Sequence, residues 1–244
     1  MPILNPVHHA LTGSHYGFSA TTLDQLGSTE YTLVTICADV SGSVHRFVTE
    51  IEECLARIMN TCARAPRSEY LLLRVLTFNE RLNEVHGFKP ISDCQASDYS
   101  GKLSASGATA LYDAAYNGVA SIATYGEQLA THDFDVNGIV FVITDGSDNS
   151  SRHKRAEIRD ALRSCVSDEH LDSMLSVLIG VNVKQSALSK ALKSFKRAAG
   201  FNEYIELDNA QPDTLYRVAQ FVSQSISLQS RALGTGQAPT GLSF

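Results

Sequence analysis

Short apolar runs alternate with amphipathic helical segments from residue 31 onward, and this alternation limits the possible folds more than any other feature. The clearest run is Tyr31–Ala38 (YTLVTICA), which is continuous in apolar and β-branched residues, as in strands buried on both faces. Apolar residues at helical spacing follow from Val44 to Cys62, before Pro66. Repeated strand–helix units need crossover connections, which produce a mostly parallel sheet covered by helices on both faces. The sequence therefore predicts a doubly wound, Rossmann-like α/β fold.

The same pattern continues to the end of the chain and predicts one domain over about residues 30–230. The short link between Asn79 and Leu82 permits a hairpin, so the strand after it is expected to be an antiparallel edge strand. Asn137-Gly138 is interpreted as a turn. Residues 1–29 are expected to form an extended lead-in and residues 231–244 a flexible tail. The other predicted strands are Tyr70–Asn79, Leu82–Ile91, Ile139–Thr144, Met174–Val183 and Tyr204–Leu207, and the other predicted helices are 110–130, 152–167, 187–199 and one opened by Pro212.

Composition excludes several classes of protein. The chain has 43% apolar and 19% charged residues, which is typical of globular domains. Its net charge of −6 argues against nucleic-acid binding, which needs a basic face. We find no apolar run long enough to span a membrane and no secretory signal at the start. The five cysteines are odd in number and include no C-x-x-C pair, so we expect reduced core thiols and a cytoplasmic location.

The residues that carry chemistry stand where two predicted strands end. Asp39-Val40-Ser41-Gly42-Ser43 follows the first strand, and Asp145 follows the strand Ile139–Thr144. Ligands bind beyond the carboxyl ends of strands in such sheets, and neighbouring strands would place the two carboxylates about 4.8 Å apart. Like charges this close repel unless a cation lies between them. Thr109, in a loop entering a helix, can add a third hydroxyl. Hydroxyls and water-bridged carboxylates suit Mg²⁺, with Mn²⁺ or Ca²⁺ as alternatives.

These three motif pieces resemble the von Willebrand factor A (VWA) domain with its metal-ion-dependent adhesion site (MIDAS). That family has D-x-S-x-S after the first strand, a Thr before a later helix and an Asp, often as T-D-G, after the fourth strand. The resemblance covers about residues 30–230 and implies a stand-alone intracellular, bacterial-like type. It also implies that the two serine hydroxyls bind the metal directly, that the carboxylates act directly or through water, and that the threonine changes its coordination between states. The metal ligands so implied are Asp39, Ser41, Ser43, Thr109 and Asp145.

The resemblance implies a protein-interaction module whose metal accepts an Asp or Glu carboxylate from a protein partner. The oligomeric state is left open, and neither nucleic acid nor membrane is expected as a partner. The predicted partner-binding rim consists of His45, Ala108, Gly146, Ser147 and Asp148.

Other interpretations stay open from the sequence. Short polar residues after a strand are common turn formers, and Thr109 could cap a helix. The basic run Arg152–Arg155 is either a solvated helix face or a patch that attracts an acidic ligand. No nucleophile elbow, phosphate-binding loop or HExxH motif is present, so we expect no enzyme activity. The alternatives are a metal-dependent, phosphatase-like hydrolase and a scaffold subunit that does not need the metal.

Overall fold

The computed structural model describes residues 6–167, 170–183 and 186–235, which form eight strands and five α-helices around one sheet. The strands are β1 (Val7–His9), β2 (Phe18–Ala20), β3 (Glu30–Asp39), β4 (Leu71–Phe78), β5 (Leu82–Pro90), β6 (Asp135–Thr144), β7 (Ser173–Gly180) and β8 (Glu203–Glu206). The helices are α1 (Val48–Ala63), α2 (Leu111–Ala130), α3 (Arg155–Ser167), α4 (Ser186–Ala199) and α5 (Pro212–Thr235).

The strand order is β1-β2-β5-β4-β3-β6-β7-β8, with β3 and β6 as central neighbours. The pairs β4–β3, β3–β6, β6–β7 and β7–β8 are all parallel. Ala38 pairs with Ile143, so β3 and β6 end side by side at one edge of the sheet. The predicted doubly wound, mostly parallel α/β fold is confirmed.

The position of the antiparallel strand differs from the prediction in one respect. β5 does pair antiparallel with β4, as the short link predicts. It is not the edge of the sheet, because β2 pairs with it through Ala20 and Phe88, and β1 pairs antiparallel with β2. The strands β1 and β2 both come from the predicted lead-in. Three-residue strands are too short to produce a readable alternation in the sequence.

Two layers of helices cover the sheet. Alternate residues of β3 point to opposite faces, and Val34 and Ile36 pack with α1 and α5 while Leu33 and Cys37 pack with α2, α3 and α4. All five cysteines are buried and form no disulfide among the described residues, as expected. Within the described ranges, no helix is long and apolar enough to cross a membrane.

Three local predictions need correction. Asn137-Gly138 lies inside β6 rather than in a turn, because Gly138 lets the side chains of Ile122 and Met174 approach to 2.6 Å from where a Cβ would be. The segment Gly42–Arg46 is a short 3₁₀ helix, so the first α-helix begins only at Val48. The last helix continues to Thr235 through residues assigned to the tail, and residues 236–244 lie outside the described part of the chain.

Candidate metal centre

Asp39 is the last residue of β3 and is almost completely buried, with 2% of its surface exposed. One carboxylate oxygen accepts a hydrogen bond from the backbone N–H of Ser41 at 2.8 Å. The other accepts one from the hydroxyl of Thr144, the last residue of β6, at 2.6 Å. Adjacent strand ends therefore fix the orientation of this carboxylate.

Ser41, Ser43 and Asp145 continue from Asp39 as a chain of oxygen atoms. The hydroxyl oxygens of Ser41 and Ser43 are 3.1 Å apart, and the Ser43 hydroxyl donates to the Asp145 carboxylate at 2.6 Å. Ser41 is buried, whereas Asp145 is half-buried and faces the edge of the sheet. The structure thus brings together four of the five predicted metal ligands through direct contacts. Their role as ligands stays a prediction.

The loop that carries Thr109 is tied to the same edge of the sheet. The Gly42 N–H donates to the carbonyl of Gly107 at 3.1 Å, so this loop lies against the turn after β3. Thr109 is 5% exposed, and a Cβ added to Gly146 would lie 3.4 Å from its hydroxyl oxygen. The fifth predicted ligand therefore sits beside the Asp145 loop. Helix capping does not explain Thr109, because Ala110 is the N-cap residue of α2 and has no side-chain cap.

The predicted rim residues fall into two groups. His45, Gly146 and Ser147 lie at the surface around Asp145, and His45 also lines the adjoining cleft. The other two make structural contacts. The Ala108 N–H donates to the Glu80 carboxylate at 3.1 Å. The Asp148 carboxylate accepts from the Tyr112 N–H at 3.3 Å and from the Ser151 hydroxyl. Asp148 therefore fixes the start of α2.

Three residues that position this centre were not among the predicted site residues. Thr144 donates a hydrogen bond to the Asp39 carboxylate. Its position as the Thr of the T-D-G match was a signal in the sequence that could have identified it. Asn149 bonds the backbone of Thr109 in both directions, donating from its N–H at 3.0 Å and accepting at its side-chain oxygen at 2.7 Å. Glu80 braces the loop before Thr109. No local signal in the sequence marks Asn149 or Glu80, because their partners lie far away along the chain.

The electrostatics of the centre are those of two carboxylates without a basic partner. No Lys, Arg or His of the described residues lies within ion-pair distance of Asp39 or Asp145. Burial raises the pKa of Asp145 to about 6, and the nearby charge of Asp39 adds to this effect. Burial also raises the pKa of Asp39, against hydrogen bonds from Thr144 and Ser41 that lower it. A cation between the two carboxylates would offset both the burial of their charges and the repulsion between them.

The donor set fits a hard divalent cation. Around Mg²⁺, adjacent ligand oxygens lie about 2.9 Å apart, because the metal–oxygen distance is about 2.1 Å and the geometry is octahedral. The observed separations of 3.1 Å between the two serine oxygens and 2.6 Å between Ser43 and Asp145 bracket that spacing. Among the described residues, no three His, Cys, Asp or Glu side chains converge on one point, so a cation here would depend on the hydroxyl oxygens as well.

A cleft of about 760 Å³ opens beside the centre. Ser43 and Asp145 form part of its wall, so the oxygen cluster faces this space directly. The remaining wall comes from the 3₁₀ segment after β3, from α1 and α4, and from the loops after β7 and β8. These residues are Gly42, His45, Arg46, Phe47, Glu50, Asn182, Leu188, Asn209, Ala210 and Gln211.

No protein-family profile matches the chain, and no curated protein sequence matches it. Solved structures do share its fold. The PilB minor pilin from Streptococcus sanguinis aligns with a TM-score of 0.61 at 12% identity, over 90% of this chain and 66% of that chain. Proximal thread matrix protein 1 from the mussel byssus, with a zinc-occupied MIDAS motif, aligns with a TM-score of 0.54 at 17% identity, over 83% of this chain and 46% of that chain. The chain has a VWA-like fold.

A third structure with this VWA-like fold is the pilus adhesin SpaC from Lactobacillus rhamnosus GG. It aligns with a TM-score of 0.60 at 10% identity, over 83% of this chain and 30% of that chain. This chain therefore spans about two thirds of the PilB chain, under half of the mussel protein and under a third of SpaC. The similarity concerns the fold.

Proposed function

We propose that this chain is a divalent-metal-dependent protein-interaction module, which binds an Asp or Glu side chain of a protein partner at a MIDAS-type centre. The observation that carries the proposal is the continuous oxygen cluster Asp39–Ser41–Ser43–Asp145, which has no basic partner among the described residues and opens into the 760 Å³ cleft. The zinc-occupied MIDAS motif of a protein with the same fold supports a divalent cation there.

The chemistry of the cluster explains why it suits an acidic ligand. A divalent cation held there would supply positive charge and one open coordination position for an outside carboxylate. Of the five proposed ligands, the two serines and the threonine are neutral, so the chain offsets the cation's charge only with Asp39 and Asp145. Thr144 and the Ser41 N–H hold Asp39 in place, so this carboxylate needs no rearrangement on binding.

We propose Mg²⁺ as the physiological metal, with Mn²⁺ and Ca²⁺ as alternatives, since the donors are all oxygens. Low-charge oxygen sites bind weakly, and we expect a Kd of about 10⁻⁴–10⁻³ M. Partner and metal would bind with positive coupling, because each completes the surroundings of the other. We further propose a cytoplasmic location, for which the support is five buried thiols without a disulfide.

Metal binding is the first test. Calorimetric titration with MgCl₂ and MnCl₂ should detect one site in the full chain and none in Ser41→Ala. Ser106→Ala is the matched control, because Ser106 lies in the Thr109 loop but its exposed hydroxyl is outside the oxygen cluster. Equal binding by Ser41→Ala and the parent chain would contradict the proposed ligand set.

Partner binding is the second test. The immobilised chain should retain a partner in Mg²⁺ and lose it on chelation, and Asp39→Ala, Ser41→Ala and Thr109→Ala should not retain it. Retention after chelation would rule out the metal bridge, and retention by Ser41→Ala would favour the metal-independent scaffold.

A metal-dependent hydrolase is the second candidate. His45 and Glu50 line the same cleft as Ser43 and Asp145 and offer groups capable of proton transfer. Assays with generic phosphate and carboxylate esters, with and without Mg²⁺ or Mn²⁺, distinguish the two functions. Metal-dependent turnover that is lost in both Ser41→Ala and His45→Ala would establish the hydrolase, whereas we expect none.

A further inference from the structure

A second pocket, of about 270 Å³, lies between α3, β7 and α4 and is lined by three arginines. Arg159 and Arg163 come from successive turns of α3, and Arg197 comes from the last turn of α4. No Asp or Glu lines this pocket in the part of the chain that the structure describes. The remaining wall is formed by Leu162, Met174, Ser176, Gly200 and Asn202.

The arginines are held at the pocket without a strong acidic partner. Arg159 packs on Gly200, where an added Cβ would lie 3.4 Å from the Arg159 Cγ. The Nε atom of Arg159 is buried and makes no hydrogen bond. Its nearest acidic group among the described residues is the Asp160 carboxylate, at a long ion-pair distance of 3.5 Å, and both of these side chains are substantially exposed. The hydrogen bond that Arg197 makes within the described part of the chain is long, at 3.4 Å from Nε to the Lys193 carbonyl. Guanidinium donors therefore remain available to an incoming acceptor.

The surface around the pocket is positively charged, although the whole chain is negatively charged. Together, α3 and α4 carry seven Lys or Arg residues and two Asp or Glu residues, while the chain has a net charge of −6. α4 itself contains no Asp or Glu. Like charges gathered on two packed helices repel one another, and a bound anion relieves that repulsion.

This pocket is separate from the metal centre. Ser176 lies four residues before Gly180, and Gly180 pairs with Thr144 at the edge that carries the oxygen cluster. Four residues of strand span roughly 13 Å, so the arginines line a different part of the molecule. Ligand binding in this pocket should therefore be the same whether or not the other site binds a metal.

We propose that the pocket formed by Arg159, Arg163 and Arg197 binds a phosphate group, either free or carried as a phosphomonoester. Guanidinium groups present paired N–H donors that match the oxygen spacing of phosphate, and a phosphate dianion can accept from all three. A single carboxylate has only two oxygens and one charge, so it would satisfy fewer of these donors. The proposal does not depend on the function of the metal centre.

The test measures anion binding to the full chain in the absence of divalent metal. Inorganic phosphate, O-phosphoserine and a phosphoserine peptide are titrated separately, with ionic strength held constant by NaCl. The parent chain should bind at one site, and Arg159→Gln, Arg163→Gln or Arg197→Gln should each weaken binding by at least about tenfold. Arg→Lys variants at the same positions should also weaken it, because they keep the charge but lose the guanidinium fork.

The matched control carries Lys102→Gln, Lys154→Gln and Lys190→Gln, which remove three exposed positive charges away from the pocket. It should bind phosphate as the parent chain does, whereas the triple Arg→Gln variant should not. Equal weakening in both triple variants, or no binding above that of chloride, overturns the site. Tighter binding of the phosphopeptide than of free phosphate identifies a phosphoprotein as the source, and equal binding of all three identifies the free anion.

Discussion

At the scale of single residues, the proposed metal centre depends on the hydrogen-bond partners of Asp39. Its buried carboxylate accepts from one hydroxyl and one backbone N–H rather than from a basic side chain. A buried carboxylate held in this way has no positive charge beside it, so a cation can take that position. A lysine or arginine placed near it would stabilise the fold but occupy the position that a metal needs.

Gly107 offers a residue-scale test of the loop that carries Thr109. Its φ of +78° is left-handed, and a Cβ there would collide with the Glu80 carboxylate. Gly101 has a similar φ of +66° with no atom within 4 Å of an added Cβ. We expect Gly101→Ala to lower the free energy of unfolding by about 1 kcal/mol and Gly107→Ala to lower it by about 1 kcal/mol more.

Urea denaturation measures both variants, and Glu80→Ala combined with Gly107→Ala completes the comparison. Removing the Glu80 side chain should bring the cost of Gly107→Ala down to that of Gly101→Ala. If the two glycine variants cost the same with Glu80 present, the carboxylate does not brace this loop.

His86 provides the pH-dependent prediction. Burial lowers its pKa from 6.5 to about 4, and its ring nitrogens lie 3.0 Å from the Gly87 carbonyl and 3.0 Å from the Tyr99 hydroxyl. The unfolded chain therefore binds a proton at His86 in a pH range where the folded chain does not. Stability contributed by neutral His86 should fall as pH drops from about 6.5 to about 4, by at most about 3 kcal/mol.

The measurement is the free energy of unfolding against pH for the parent chain, His86→Gln and His132→Gln. The difference between the parent and His86→Gln should shrink towards low pH, because only the parent loses this contribution. His132 is exposed, so His132→Gln should follow the parent curve. Parallel curves for the parent and His86→Gln would show that His86 does not titrate as described.

At the scale of elements, one side chain of α1 is hydrogen-bonded to the backbone of the loop before Thr109. Glu52 is buried and accepts hydrogen bonds from the N–H groups of Gly101 and Leu103, both at 2.8 Å. We expect Glu52→Ala to cost about 1–3 kcal/mol, because it leaves both groups without an acceptor. Glu53→Ala, on the exposed side of the same helix, should be nearly neutral.

Amide hydrogen exchange locates the effect of Glu52→Ala. Faster exchange should be confined to about residues 100–103, while α1 itself stays protected. Uniformly faster exchange along the whole helix would mean that Glu52 stabilises α1 rather than the loop.

Elements with a strong periodic signal were predictable, and the convergence of Asp39 and Asp145 followed from them. Parallel neighbours end at the same edge, so the two carboxylates meet if β3 and β6 are neighbours, and the structure supplies that adjacency. The turn predicted at Gly138 was wrong because glycine is common both in turns and at strand positions where other side chains pack closely against the backbone. The strands β1 and β2 depend on pairing with distant β5, and Asn149 depends on distant Thr109. Such long-range partners leave no pattern in a short window of sequence.

At the scale of the whole molecule, the proposed metal centre lies at the carboxyl ends of the two central strands of the sheet. β3 pairs along its length with both β4 and β6, so the turn that carries Ser41 and Ser43 follows a central strand that is hydrogen-bonded on both sides. A ligand that binds only the folded chain therefore stabilises the entire domain. This links metal binding to a measurable property even before a partner is known.

Thermal unfolding in Mg²⁺ is the prediction at this scale. With a Kd of about 10⁻⁴–10⁻³ M, 10 mM MgCl₂ should add about 1.4–2.7 kcal/mol to the stability of the folded chain. For a domain of this size, that corresponds to a rise in Tm of about 3–10 °C. The Ser41→Ala variant lacks one oxygen of the cluster and should show a much smaller rise.

The control for this measurement separates site binding from general screening. The chain carries a net charge of −6, so any salt reduces its self-repulsion. NaCl at matched ionic strength should raise the Tm of the parent chain and of Ser41→Ala equally, and only the parent should respond further to Mg²⁺. A Mg²⁺ response that is the same in both chains would place the effect on the acidic surface, because the proposed cation site at Asp39 and Asp145 would use the Ser41 hydroxyl as a ligand.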